Sequence, residues 1–252
     1  MRLTLDDSWQ ATVTDEPLRF LPRFDFRDFR VRVAAYADVA ERERFLLDTF
    51  GSRPWLWDTP DELRFDPESR ELAGAEFQLA DEIASAEDAA RVPAGPPVRP
   101  GGLRADEARD FRLEVTSELC RGPGDTVVTC LRDLDVLDEP LTARIGIAPD
   151  VALLVQAGTV VGWSLTDPVR YLTSGFAAPD PAPPSPATRR LLTECMDLVT
   201  TPGRRALRKR EPAALARLRA VDEALRGRRE DRLRTEALLA PIAELVEDYG
   251  DG

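Results

Sequence analysis

The stretch Ala177-Ala178-Pro179-Asp180-Pro181-Ala182-Pro183-Pro184-Ser185-Pro186 decides how the rest of this chain is read. Each proline fixes its own φ and has no backbone N–H to donate, so neither a helix interior nor a central strand can run through it. Residues 175–187 therefore read as a stiff, extended linker. Before them, apolar residues recur mostly with the period of strands; after them, with the period of helices. The expected fold is α+β. An acidic, antiparallel, strand-rich region of hairpins with one or two helices fills residues 1–174, and a small arginine-rich helical bundle fills residues 188–250.

Upstream of the prolines, Phe29-Arg30-Val31-Arg32-Val33-Ala34-Ala35-Tyr36 alternates apolar and charged side chains, which predicts a half-buried strand with Arg30 and Arg32 facing water. Asp38 suits the N-cap of a helix over residues 39–50, with Val39, Phe45, Leu46 and Leu47 on one face and Gly51 as its stop. Residues 63–65 and 72–79 flank Asp66-Pro67-Glu68-Ser69-Arg70, a run of turn formers, and predict a hairpin. A second proline and glycine cluster at residues 93–102 is a candidate internal boundary. Further strands are expected over residues 111–115, 126–131, 142–147, 151–156 and 159–165, the last two joined by a tight turn at Ala157-Gly158.

Downstream, residues 188–199 place Leu191, Leu192, Cys195, Leu198 and Val199 on one helical face, and Pro202-Gly203 reads as the stop. Pro212 suits the first turn of a second helix carrying Leu215, Leu218, Val221 and Leu225. A last helix from about residue 230 carries Leu238, Ile242, Leu245 and Tyr249, and Pro241 should kink or split it.

Composition removes many chemistries. The 252 residues contain no histidine, so a Ser-His-Asp triad, a Cys-His dyad, His-ligated zinc or haem and an imidazole shuttle are all excluded. Lys209 is the sole lysine and stands in no phosphate-binding glycine loop. Cys120, Cys130 and Cys195 are too few for a disulfide framework and read as small buried residues of a reducing compartment. The first residues lack the apolar run of a signal peptide, and no apolar run is long enough to span a bilayer, so a cytoplasmic location without membrane contact is expected. No stretch resembles a known family at motif level.

Carboxylates are the acids and bases that survive. Asp133, Asp135, Asp138 and Glu139 cluster in one segment, but the calcium-loop glycine and terminal glutamate are missing, so no metal or other cofactor is assigned. Asp58, Asp61 and Glu62 stand beside Trp55 and Trp57, and paired acids near tryptophan faces would suit a glycosidase-like site. No catalytic residue is assigned on that basis.

Charge is unevenly spread. The chain has 34 basic and 46 acidic side chains, a net charge of −12, yet residues 204–234 hold 12 basic against 5 acidic. No aromatic residue stands between Phe176 and Tyr249 to stack on an unpaired base, which disfavours single-stranded nucleic acid. The expected function is therefore non-catalytic: a module that binds another protein, of regulatory or immunity type, or binds a second copy of itself. Its candidate contact residues are Trp55, Trp57, Arg204, Arg205, Arg208 and Arg210. A carboxylate-dependent hydrolase, glycosidase-like or assisted by magnesium or calcium, is the alternative. A nucleic-acid-associated protein acting through residues 204–234 is the third reading.

Overall fold

The computed structural model describes residues 1–6, 9–52 and 61–250. Strands β1 (Arg2–Asp6), β2 (Trp9–Thr14), β3 (Arg23–Asp25) and β4 (Arg30–Val33) lead into helix α1 (Val39–Asp48). Next come β5 (Phe50–Gly51), β6 (Glu62–Phe65), β7 (Leu72–Gln78), β8 (Glu82–Ile83) and the short helix α2 (Ala86–Arg91). Strands β9 (Val98–Pro100), β10 (Gly102–Ala105), β11 (Glu118–Arg121), β12 (Val127–Leu131), β13 (Ala143–Ala148), β14 (Val151–Gln156), β15 (Thr159–Thr166) and β16 (Leu172–Thr173) follow. Helices α3 (Pro186–Val199), α4 (Thr201–Arg208), α5 (Pro212–Arg226) and α6 (Arg232–Tyr249) complete the chain. Strand-rich before the prolines and helical after them, the protein is α+β.

In the larger sheet β15 is the hub. It pairs with β14, β12 and, in parallel at Thr4 and Thr159, with β1. From β14 the ladder continues through β13 to β9; from β1 it continues through β2 to β10. Because β9 and β10 are consecutive along the chain, these pairings close a ring, and β12, β11 and β8 extend it from β15. The corner between β9 and β10 needs glycine: a Cβ on Gly102 would stand 2.1 Å from the Glu16 carbonyl oxygen. Closing a sheet in this way protects edges that would otherwise invite pairing with other chains. The smaller sheet runs β16-β3-β4-β7-β6-β5. The parallel pairs β1/β15, β8/β11, β9/β13 and β3/β16 make both sheets mixed, where the sequence suggested antiparallel hairpins.

The two sheets share one apolar core. Phe77 of the smaller sheet packs on Trp163 of the larger with ring centroids 4.9 Å apart, and Trp9 stacks on Phe111 at 3.9 Å. That core continues without a break into the helices through Leu192, Cys195, Met196, Leu218, Val221, Leu238 and Ile242. The proline segment is held down rather than left loose. Arg234 of α6 is fully buried and donates to the carbonyls of Asp180 and Ala182, while Asp231 accepts from the Ser185 N–H at 2.7 Å and the Thr188 hydroxyl at 2.6 Å.

Several expectations need correction. Residues 111–115 form no strand; Phe111 makes a single bridge to Ser52. Pro202-Gly203 does not simply end a helix. It opens α4, where Gly203 lets the new helix approach the Asp197 carbonyl, 2.0 Å from where a Cβ would lie. Helix α6 runs through Pro241 without splitting. Asp38 caps α1 as expected by accepting from the Glu41 N–H at 2.8 Å, but Val39 and Leu47 are 59% and 85% exposed, so the anticipated apolar face is not a buried one. Phe45 packs on the aromatic ring of Tyr36. All three cysteines are free and buried.

Candidate functional site

Arg30 and Arg32 alternate with Val31 and Val33 as the sequence requires, but both faces of β4 are covered and neither arginine faces water. Register explains how charge is tolerated there. Arg23, Arg32, Glu76 and Glu62 stand directly opposite one another across β3, β4, β7 and β6, giving a row of two cations and two anions. Arg42 reaches in from α1 to Glu76 and, at 3.1 Å, to Glu62; Arg30 reaches Glu76 at 2.9 Å. Arg32 pairs with Asp25 and Asp28, each at 2.9 Å, and lies under the Phe176 ring. Burial alone would push the Glu76 carboxyl up, yet hydrogen bonds from Arg42 and Tyr36 and the neighbouring guanidinium charges hold it below the ordinary glutamate range. Burial and the charge of Glu76 push Glu62 up instead. Every anion in this lattice is engaged by the protein itself, which is how buried ions stay affordable. The lattice fastens α1 to the sheet.

Asp61 and Glu62 are neighbours on the chain, so their side chains leave the backbone in opposite directions. Glu62 enters the ion lattice; Asp61 turns towards Trp163 and Thr116. The two therefore do not form the acid pair that their spacing suggested. Asp58, Trp55 and Trp57 lie outside the described residues. Asp61 Oδ1 accepts the Gln78 N–H at 2.8 Å, and Oδ2 has the Thr116 hydroxyl at 3.4 Å. Burial pushes its carboxyl up to about 7, against the opposing pull of the Gln78 N–H, Thr116, Arg30 and Trp163. A carboxyl that titrates near neutrality inside a cavity marks a candidate site.

That cavity holds about 30 Å³ and is walled by Leu63, Phe77, Leu113, Leu153 and Val161, with Asp61, Thr116 and Trp163 as its buried polar groups. It shares Leu5, Glu114, Arg132 and Val160 with a wider depression of about 880 Å³, which Thr4, Arg112, Val115, Asp133 and Thr159 also line. At the mouth Arg132 pairs with Glu114 at 2.7 Å and Asp133 at 3.3 Å. Asp133 also caps the turn at Leu134–Asp138, and Arg91 binds Asp138 at 2.6 Å, so these two of the four clustered acids are engaged in local structure. Cys130 faces the same interior and burial pushes its thiol up, away from the reactive thiolate.

The third candidate is a surface. Arg204, Arg205 and Arg208 lie on α4, with Lys209 and Arg210 just past its end, and all five are exposed. Arg204 reaches Asp81 at 3.9 Å. Arg205, Arg208, Lys209 and Arg210 make no ion pair among the described residues. Elsewhere in the tail the charges are largely consumed: Arg217 binds Asp197, Arg226 binds Asp222, Arg228 binds Glu230, Arg232 binds Glu236, and Arg234 is buried. Arg121, Arg189 and Arg27 tie the sheet region to the helical one through Asp197, Asp167 and Glu244.

The sequence pointed to the α4 arginines directly and to Asp61 by association with Trp55 and Trp57. It did not point to Trp163 or Thr116, which reach Asp61 only because β15 and the segment before β11 are brought beside β6 by the packing of the sheets. Among the described residues no helix is long and apolar enough to cross a membrane. No protein-family model, curated protein or solved structure matches the chain.

Proposed function

We propose that this is a non-catalytic protein-binding module that takes an acidic segment of another protein at the end of α4. One observation carries the reading: Arg205, Arg208, Lys209 and Arg210 gather at one helix end, exposed and without an ion pair among the described residues, on a chain with twelve more acidic than basic side chains. Stability does not call for such a group. Arg205 and Lys209 stand one turn apart on the helix surface, where like charges repel, and the favourable helix-end dipole needs only one or two cations. A partner of opposite sign would turn that repulsion into faster encounter and discrimination between partners. A regulatory or immunity-type role in the cytoplasm fits three cysteines that are all free and buried.

Fluorescence anisotropy with a short polyglutamate peptide tests this against an oligouridylate of equal charge. The peptide should bind more tightly at physiological salt. Tighter binding of the oligonucleotide, with a steep fall as salt rises, would move the function to nucleic acid. The hydrolase reading draws on Asp61 and Glu114 lining one cavity. It gains ground only if purified protein converts a glycoside or ester and Asp61→Asn abolishes the conversion.

A further inference from the structure

We propose that the cavity lined by Asp61 and Trp163 is a binding site for the hydroxyl group of a small, neutral, apolar alcohol. The proposal does not rest on the α4 surface. Trp163 is 1% exposed, and its Nε1–H makes no hydrogen bond of normal geometry among the described residues, although the indole lies close enough to Asp61 to favour the charged carboxylate. Asp61 is its natural complement. Among the described residues, one carboxylate oxygen accepts from the Gln78 N–H, and the other has the long contact from Thr116 with the indole of Trp163 nearby.

These two groups narrow the ligand by chemistry. An indole N–H can only donate and an ionised carboxylate can only accept, so a single group that satisfies both must accept from Trp163 and donate to Asp61. A hydroxyl does both. An ammonium offers no acceptor to the indole, and a carbonyl offers no donor to the carboxylate. If Asp61 takes up a proton, a hydroxyl oxygen still accepts from both sides through its two lone pairs. A space of about 30 Å³ exceeds the roughly 10–15 Å³ that admits one water, so a hydroxyl head fits it. Leu63, Phe77, Leu113 and Leu153 supply apolar walls for the attached carbon, and Leu5 and Val160 continue them towards the wider depression. Arg132 and Glu114 at the mouth neutralise each other, which suits an uncharged ligand.

The test follows the Trp163 indole N–H of the full chain by NMR, assigned by its loss in Trp163→Phe. The probes are n-hexanol and its isomer methyl pentyl ether, which has the same atoms but cannot donate. We expect n-hexanol to shift this resonance saturably and to bind at least about tenfold more tightly than the ether at pH above the Asp61 titration, the discrimination that one hydrogen bond to a charged group supports. Asp61→Asn should cut that preference to about threefold or less. The proposal fails if n-hexanol leaves the Trp163 resonance unmoved, as it would where the cavity takes water alone, or if the two isomers shift it equally. Should Asp61→Asn not fold, the contrast between the isomers in the natural chain decides the matter.

Discussion

Two groups of arginines share a side chain and differ in everything else. On β3, β4 and α1, Arg23, Arg30, Arg32 and Arg42 are drawn under the surface, each meeting a carboxylate, a backbone carbonyl or an aromatic ring. At the end of α4, Arg205, Arg208 and Arg210 stand in water with no ion pair among the described residues. In the first group register sets Arg30 opposite Asp25 and Arg32 opposite Glu76, Arg42 reaches the same carboxylates from α1, and Arg23 is held by backbone carbonyls. The second sits on a helix end with no strand to pair it, and its charge is left for something outside the fold. Arginine abundance says little about function; the location of unpaired arginine says more.

Breaking the buried group should be the most damaging change. Glu76→Ala removes the anion shared by Arg30, Arg32, Arg42 and Tyr36, and denaturant unfolding should show a loss of about 3–5 kcal/mol, the usual cost of stranding buried charge. A loss below about 1 kcal/mol would mean that water or another carboxylate takes over the lattice.

Asp61 sharpens the comparison, since it is a buried acid with no ion pair among the described residues. Its folded carboxyl, at about 7, lies above the ordinary value of 3.8, so below 3.8 both folded and unfolded chains hold the proton. Between the two values only the folded chain holds it. Stability from this group should therefore fall as pH rises from 3.8 to about 7, at up to about 1.4 kcal/mol per pH unit, and level off above. Glu76 behaves in the opposite sense, its contribution being present above the ordinary glutamate range and lost as pH falls. Urea midpoints of the natural chain and Asp61→Asn across this window isolate the Asp61 part: the variant should show a shallower decline, the remainder coming from the raised Glu62 carboxyl.

Arg234→Met comes next. It exchanges the buried guanidinium that holds the Asp180 and Ala182 carbonyls for a side chain that packs but cannot donate, and should cost about 1–3 kcal/mol in the same assay. Cleavage by a protease within residues 177–186 should become faster in parallel. At the small end, Arg205→Ala and Arg208→Ala should leave the unfolding midpoint unchanged within error. A clear loss there would show that these side chains serve the fold, and the comparison would collapse.

Much of this architecture was legible because it is local. Asp38 caps α1, Pro212 opens α5, the turn at Asp66–Arg70 joins β6 to β7, and Ala157-Gly158 joins β14 to β15; each is written in a few adjacent residues. What was not legible depends on distant chain. The period-two reading of β4 was correct, but only packing against α1 and Phe176 shows that its charged face is covered. Phe111-Arg112-Leu113-Glu114-Val115 alternates like a strand, yet Leu113, Glu114 and Val115 line the cavity and its mouth instead of extending a ladder. Pro202-Gly203 looked like a terminator because proline suits both the residue after a helix and the first turn of the next one. Of the candidate sites, the α4 cations were visible in composition, while the meeting of Asp61 with Trp163 across the two sheets has no trace in either segment alone.

The claim that unpaired arginines, and not basic charge in general, form the docking surface is tested most directly by paired charge reversals within the same tail. Arg205→Glu with Arg208→Glu alters the free group, and Arg226→Glu with Arg232→Glu alters arginines already bound to Asp222 and Glu236, with an identical change in net charge. Measured against the polyglutamate peptide, the first pair should lose at least about tenfold in affinity and the second less than about threefold. Equal losses would contradict the account, since they would show the peptide sensing only the total charge of the tail.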